Sequence, residues 1–131
     1  MTRVILDTNV VSVLMRDPGG GIARCIGALT TPISVSVIVA AELRYGAAKK
    51  DSDRLSAAVD GVLATLDIEP QSAPVDVVYG HLRRALERVG RTMGANDLLI
   101  AAHALTLGRI LVTDDHAFTS VPGLTVENWL V

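Results

Sequence analysis

Four acidic residues stand where a carboxylate can do chemistry. Asp7 directly follows the apolar run Arg3-Val4-Ile5-Leu6, and Glu42 lies in the helical segment after Ile33-Ser34-Val35-Ser36. Asp97 opens the apolar segment that leads into Ile110-Leu111-Val112-Thr113, and Asp115 follows that run. Read singly, each is more often a helix cap or a solvated turn acid than a ligand. Read together, they are three carboxylates that follow or lead into extended runs and a fourth in the helix that follows one, and carboxylates brought close together repel and raise one another's pKa unless a cation neutralises them. A hard divalent ion is the simplest partner. Magnesium and manganese prefer oxygen, keep several waters, and bind through one or two carboxylates plus a substrate phosphate. Softer ligands are scarce, since Cys25 is the one cysteine and His81, His103 and His116 show no metal-ligand spacing.

For these acids to meet, the chain must bring distant segments to one edge. Arg3 to Leu6 has the pattern of a strand buried on both faces, and Asn9 to Met15 follows as a helix. The breaker Asp17-Pro18-Gly19-Gly20-Gly21 precedes a second helix over Ile22 to Leu29. Pro32 opens a second strand, Ile33 to Ser36, and Val37 to Ala48 repeats apolar residues at helical spacing. Ser52 or Asp53 caps a helix running to about Leu66, leaving Asp67-Ile68-Glu69 as a third strand before Pro70. Val75 to Val89 is amphipathic, with Val75, Val78, Leu82 and Leu86 on one stripe. Ala95 to Leu107 is an apolar helix closed by Gly108, Ile110 to Thr113 a fourth strand, and Leu124 to Glu127 a fifth. Strands alternating with helices predict a doubly wound α/β layer. In such sheets ligands bind beyond the carboxyl ends of the strands, where the strand order reverses. If strands one and four are neighbours, Asp7 and Asp115 share that edge, and the helices bearing Glu42 and Asp97 can point toward it.

The chain has 131 residues, half of them apolar, enough for one domain over 1–131 that buries roughly two-thirds of its unfolded surface. Twelve basic against fourteen acidic residues give a net charge of −2, which excludes a strongly basic whole-domain nucleic-acid binder but not a local basic patch. No apolar run reaches the roughly 18 residues of a membrane helix, and Asp7 interrupts what would be a signal segment. A single cysteine excludes an intrachain disulfide framework and suits a reducing cytoplasm.

Taken in chain order, Leu6-Asp7-Thr8-Asn9, Ser36 with Ala41-Glu42-Leu43 and Gly46, Asn96-Asp97-Leu98-Leu99-Ile100-Ala101-Ala102-His103-Ala104, Leu111-Val112-Thr113-Asp114-Asp115 with Phe118, and Val121-Pro122-Gly123-Leu124 with Glu127-Asn128-Trp129 resemble a PIN-domain ribonuclease of the VapC toxin type. Each motif is short, but five in register span essentially the whole chain. The resemblance implies a PIN-like, doubly wound three-layer α/β fold: a central, mostly parallel sheet of about five strands with helices on both faces. It carries the family's acidic site onto Asp7, Glu42, Asp97 and Asp115, with Asp114 competing with Asp115 for the last place. Asp7, Asp97 and Asp115 would bind Mg2+, for which Mn2+ can substitute, while Glu42 is either a ligand or the group that orients the attacking water. Thr8, Asn9, Ser36, Asn96 and Thr113 look like the polar residues that orient carboxylates or bound water.

The activity so implied is that of an endoribonuclease: metal-activated water attacks an RNA phosphodiester in line and leaves a 5′-phosphate and a 3′-hydroxyl. The resemblance also implies a VapB-type antitoxin reaching the acidic cleft, often with an arginine, and a homodimer. Arg16, Arg44, Lys49, Lys50, Arg83, Arg84, Arg88 and Arg91 are the candidates for phosphate contacts. Arg83, Arg84 and Arg88 have the competing reading of a solvated helix face, with Arg83 paired to Glu87 at i,i+4. His103, mid-helix among apolar residues, reads as a hydrogen-bonded core histidine rather than a base, His81 and His116 as surface residues, and Cys25 as a small apolar filler. A receiver domain would need an acidic pair after strand one and a late lysine, whereas Leu6-Asp7-Thr8 has one acid and both lysines are at 49 and 50. A haloacid-dehalogenase-like phosphatase would need an acid at Asn9, and a flap or DNA nuclease longer insertions. The alternative outside enzymes is a PIN-like module that binds RNA or protein without cleaving.

Overall fold

The computed structural model describes residues 3–130. The chain runs β1 (Val4–Leu6), α1 (Thr8–Arg16), α2 (Gly21–Gly27), β2 (Ser34–Ser36), α3 (Val37–Lys49), α4 (Asp53–Leu63), β3 (Asp67–Glu69), α5 (Val75–Arg88), α6 (Ala95–Leu107), β4 (Ile110–Val112), a 3₁₀ helix (His116–Ser120) and β5 (Val126–Glu127). Several boundaries have a visible chemical cause. The Asp7 side chain accepts from Thr8 N–H at the start of α1, Ser36 caps α3, and Ser52 rather than Asp53 caps α4. Gly108 ends α6 in the left-handed conformation, φ 65°, which costs a residue without Cβ least.

The five strands form one sheet in the order β3-β2-β1-β4-β5, and all four pairings are parallel, so the sheet is wholly rather than mostly parallel. β1 is central, with Leu6 in register with Val35 on one side and Val112 on the other. Strand order reverses between β1 and β4. Right-handed crossovers put the helices of the connections toward β3 on one face and α5 and α6 on the other. Consistently, α1 packs on α2, α3 and α4, and α5 packs on α6. β1 is buried throughout, as a strand covered on both faces must be, and Ile5, Leu6, Val35, Ile100, Leu111 and Phe118 are core side chains shielded from solvent.

Several boundaries differ from the sequence reading; α4 stops at Leu63 rather than near Leu66, where Thr65 and Leu66 N–H turn back to Val62 and Leu63 in i to i−3 bonds. α2 stops at Gly27, because Leu29 N–H turns back to Ile26 in a tighter i to i−3 bond. β5 starts at Val126, because Leu124 N–H bonds Val121 across a turn in which Gly123 takes φ 79°. The 3₁₀ helix over His116–Ser120 was not anticipated; buried Phe118 anchors it.

Candidate active site

Asp7 follows the central strand at the switch point and is 5 % exposed. Its two carboxylate oxygens have separate donors: Thr8 N–H reaches Oδ1 at 2.8 Å and the Thr113 hydroxyl reaches Oδ2 at 2.7 Å. Burial raises the Asp7 pKa, the two hydrogen bonds oppose that rise, and the Glu42 and Asp115 charges add to it. The Thr8 hydroxyl donates to Glu42 Oε1 at 2.7 Å, so adjacent groups of one residue hold two of the acids. Thr113 links a second pair, since its hydroxyl oxygen also accepts from Asp115 N–H at 3.1 Å. The Asp115 carboxylate in turn accepts from Ala117 N–H at 2.9 Å and caps the 3₁₀ helix.

Asp97, half-buried in the first turn of α6, is the most perturbed carboxyl: its pKa is pushed up to about 6, first by burial and then by Asp7, Asp115 and Glu42. The four sequence-predicted acids therefore lie within electrostatic reach of one another. Asp114 is exposed and accepts from Asn9 Nδ2 at 3.3 Å, while Asp115 is the acid of this pair whose charge bears on Asp7 and Asp97.

Of the polar residues expected around the acids, Thr8 and Thr113 touch carboxylates of the predicted set, and Asn9 touches Asp114. Ser36 does not. Its hydroxyl caps α3 and meets His103 Nδ1 at 2.8 Å, because β2 turns this residue toward α6. Asn96 is exposed and makes no hydrogen bond to an acid among the described residues. Among the predicted phosphate contacts, Arg83 pairs with Glu87 at 3.4 Å, Arg44 with Asp60 at 2.6 Å, and Arg91 with the Ser120 hydroxyl at 2.9 Å. Arg84 and Arg88 are exposed. His103 is buried and hydrogen-bonded, His81 and His116 are exposed, and Cys25 is half-buried.

Sequence reasoning missed Arg109. Its guanidinium reaches Glu69 Oε1 at 2.7 Å and the Ser34 hydroxyl at 2.6 Å beneath α6, a largely buried ion pair. The available signal was a lone arginine wedged between the helix-ending Gly108 and a buried strand.

Among the described residues no three His, Cys, Asp or Glu side chains are placed to enclose a metal ion. The donor set is nevertheless entirely hard oxygen, with like charges that raise one another's pKa. That fits an ion held by one or two carboxylates that keeps much of its water, not one needing a closed protein cage.

An all-parallel sheet with acids at its reversal point is the arrangement of a PIN domain, and the PIN domain model matches residues 4–124: the chain belongs to that family. It is 38% identical over 129 residues to ribonuclease VapC2 of Rickettsia felis, covering 95% of this chain and 96% of that one. The tRNA(fMet)-specific endonuclease VapC of Shigella flexneri is 30% identical over 131 residues, covering 98% and 99%. In three dimensions the chain resembles the crystal structure of VapBC2 from Rickettsia felis bound to a promoter DNA fragment, with TM-score 0.92 at 35% identity, covering 98% of this chain and 99% of that one. Nucleases of this family depend on a divalent metal.

Proposed function

We propose that the chain, as one PIN-like unit over residues 1–131, is a Mg2+-dependent endoribonuclease of a toxin–antitoxin pair, with Mn2+ able to substitute. The observation that carries the site assignment is the Thr113–Asp7–Thr8–Glu42 hydrogen-bonded chain at the sheet's switch point, which fixes two carboxylates where open α/β sheets bind ligands. The activity is supported by relatives named as ribonucleases that match this chain over nearly its full length.

Asp7, Asp97 and Asp115 would hold the ion, and Glu42 would be a further ligand or the group that orients the attacking water. When bound, the ion activates water and offsets charge developing on the phosphate. Thr113 and Thr8 supply rigidity: each Asp7 oxygen keeps a lone pair free of its donor, and Thr8 fixes the Glu42 oxygen that faces it. The products are a 5′-phosphate and a 3′-hydroxyl. Similar chains solved as VapBC complexes support an antitoxin as partner, and an acid cluster short of cations suits inhibition by a partner's arginine. The proposal places the protein in the cytoplasm, as a homodimer; among the described residues no helix is long and apolar enough to cross a membrane.

The test is incubation of antitoxin-free protein with total bacterial RNA in Mg2+ or Mn2+, beside EDTA and Asp7→Ala controls, with the new ends mapped. Site-restricted cuts lost in both controls are the expected result, and their positions name a transfer, ribosomal or messenger target. Intact RNA in every metal, bound equally by both proteins, would overturn catalysis in favour of a binding module.

A further inference from the structure

One buried polar group takes no part in the hydrolysis proposed above. His103, on α6, is 1 % exposed, and its Nδ1 lies 2.8 Å from Ser36 Oγ. The Pro70 backbone carbonyl also faces the ring. A carbonyl only accepts, and Nδ1 already faces Ser36, so Nε2–H is turned to Pro70 and Nδ1 is left as an acceptor. Burial foremost, and then the Arg109 charge, hold the ring's pKa below its ordinary value against the opposing pull of Glu69 and Pro70, which keeps it neutral. The Ser36 hydroxyl therefore donates to His103, and its oxygen accepts Ile38 N–H at 3.2 Å as the cap of α3.

The result is a directional chain from the first turn of α3, through Ser36 and His103, to the residue after β3. Its ends matter for the acids. Ile38 and Glu42 are four residues apart on one face of α3, and Asp97 lies on the same helix as His103. Ser36 is the residue that follows Val35, the register partner of Leu6, and so stands level with Asp7. One imidazole thus joins the helix that presents Glu42 to the helix that presents Asp97.

We infer that His103 is a positioning residue for the acidic site: acting through Ser36, it fixes the α3 cap against α6 and so sets where Glu42 stands relative to Asp97, without touching RNA. The inference rests on the ribonuclease reading. If the imidazole served only the stability of the core, His103→Leu would weaken the fold by leaving the buried Ser36 hydroxyl without its partner, but would leave kcat and the effect of the Asn variant on it unchanged.

The experiment compares His103→Leu, His103→Asn, Ser36→Ala and the double variant Ser36→Ala/His103→Leu with the wild type, in steady-state cleavage and in amide hydrogen exchange at Ile38. His103→Leu is expected to lower kcat by about tenfold, the lower end of the cost of losing an outer partner of a metal-site residue, with KM unchanged. His103→Asn, whose Oδ1 can accept the Ser36 proton, restores most of that loss. Ser36→Ala matches His103→Leu, and the double variant is no worse than either single one. Ile38 exchanges faster in His103→Leu and is protected again in His103→Asn. Wild-type kcat in His103→Leu, an Asn variant no better than Leu, or additive losses would each overturn the inference. Should His103→Leu not fold, an unchanged kcat in Ser36→Ala overturns it alone. If the wild type cleaves no RNA, the nuclease reading fails by itself, and unchanged Ile38 exchange in His103→Leu still refutes the chain of hydrogen bonds.

Discussion

Asp97 holds an ionised carboxylate where three other acids oppose it. Its folded pKa of about 6 against an ordinary 3.8 means that the folded state keeps its proton longer than the unfolded chain. Stability is then undiminished below about pH 4, falls as pH rises toward 6, and stays reduced above it. After discounting for a half-exposed side chain, the cost at neutral pH is about 1 kcal/mol. Asp97→Asn is therefore expected to raise Tm by about 3 °C in EDTA at pH 7, to show no gain at pH 3.5, and to lose RNA cleavage. A melt in which the variant gains equally at both pH values would disprove this account. Thr113 has the opposite balance. Thr113→Val removes the donor to buried Asp7 Oδ2 and the acceptor for Asp115 N–H, with an expected loss of about 2 kcal/mol in urea unfolding. As candidates, Asp7, Asp97 and Asp115 stand out at this scale because each follows or opens an apolar run, whereas Glu42 sits within a helix and is tied to them through the Thr8 hydroxyl. Asp115 is favoured over Asp114 by the resemblance alone, because the Asn9 contact that engages Asp114 comes from 105 residues away and leaves no local signal.

Among the elements, α6 is tied to the sheet at two separate points. His103 binds it at mid-helix to the end of β2, and Arg109, just past its C-terminal cap, binds it to Ser34 and Glu69. The Arg109 hydrogen bond is the main reason that the Glu69 pKa lies below its ordinary 4.5. The pair's contribution is therefore fully present above pH 4.5 and is lost as pH falls through the depressed value. Arg109→Ala should cost roughly 2 kcal/mol at pH 7, as expected for a charged hydrogen bond that leaves its carboxylate partly buried. The difference from wild type should close in denaturation at pH 3, and a gap independent of pH would assign the loss to packing instead. Strands and helices were readable from periodicity and caps: Ser52 and Gly108 act as their types predict, and of the predicted stripe Val75, Leu82 and Leu86 are buried while Val78 is only half-buried. The 3₁₀ helix escaped because His116 to Ser120 has no apolar period, only Phe118 as an anchor.

At the scale of the whole molecule, four of the fourteen acids lie within electrostatic reach of one another, so divalent ions should stabilise the fold as well as serve it. Mg2+ at about a hundred times its Kd adds about 2.7 kcal/mol to a site that only the folded state possesses. The expected observation is a Tm that rises with Mg2+ in the wild type and hardly moves in Asp7→Asn. Equal shifts in both proteins would place the ion elsewhere. The alternation of strands and helices made the doubly wound class readable, but strand order was not. Nothing local in Val4–Leu6 says that it lies between β2 and β4, and that placement comes only from crossovers of more than a hundred residues in total.

The hydrogen bond from Thr113 to Asp7 spans 106 positions, and this separation has a consequence in time. As the chain emerges from a ribosome at 5–20 residues per second, roughly, β1 is made first yet waits for β4 before its second edge can pair. Asp7 therefore has neither its hydroxyl donor nor Asp115 beside it until synthesis has passed β4. A nascent chain stalled before residue 110 should leave RNA untouched, and competence for cleavage should appear only once β4 has paired with β1.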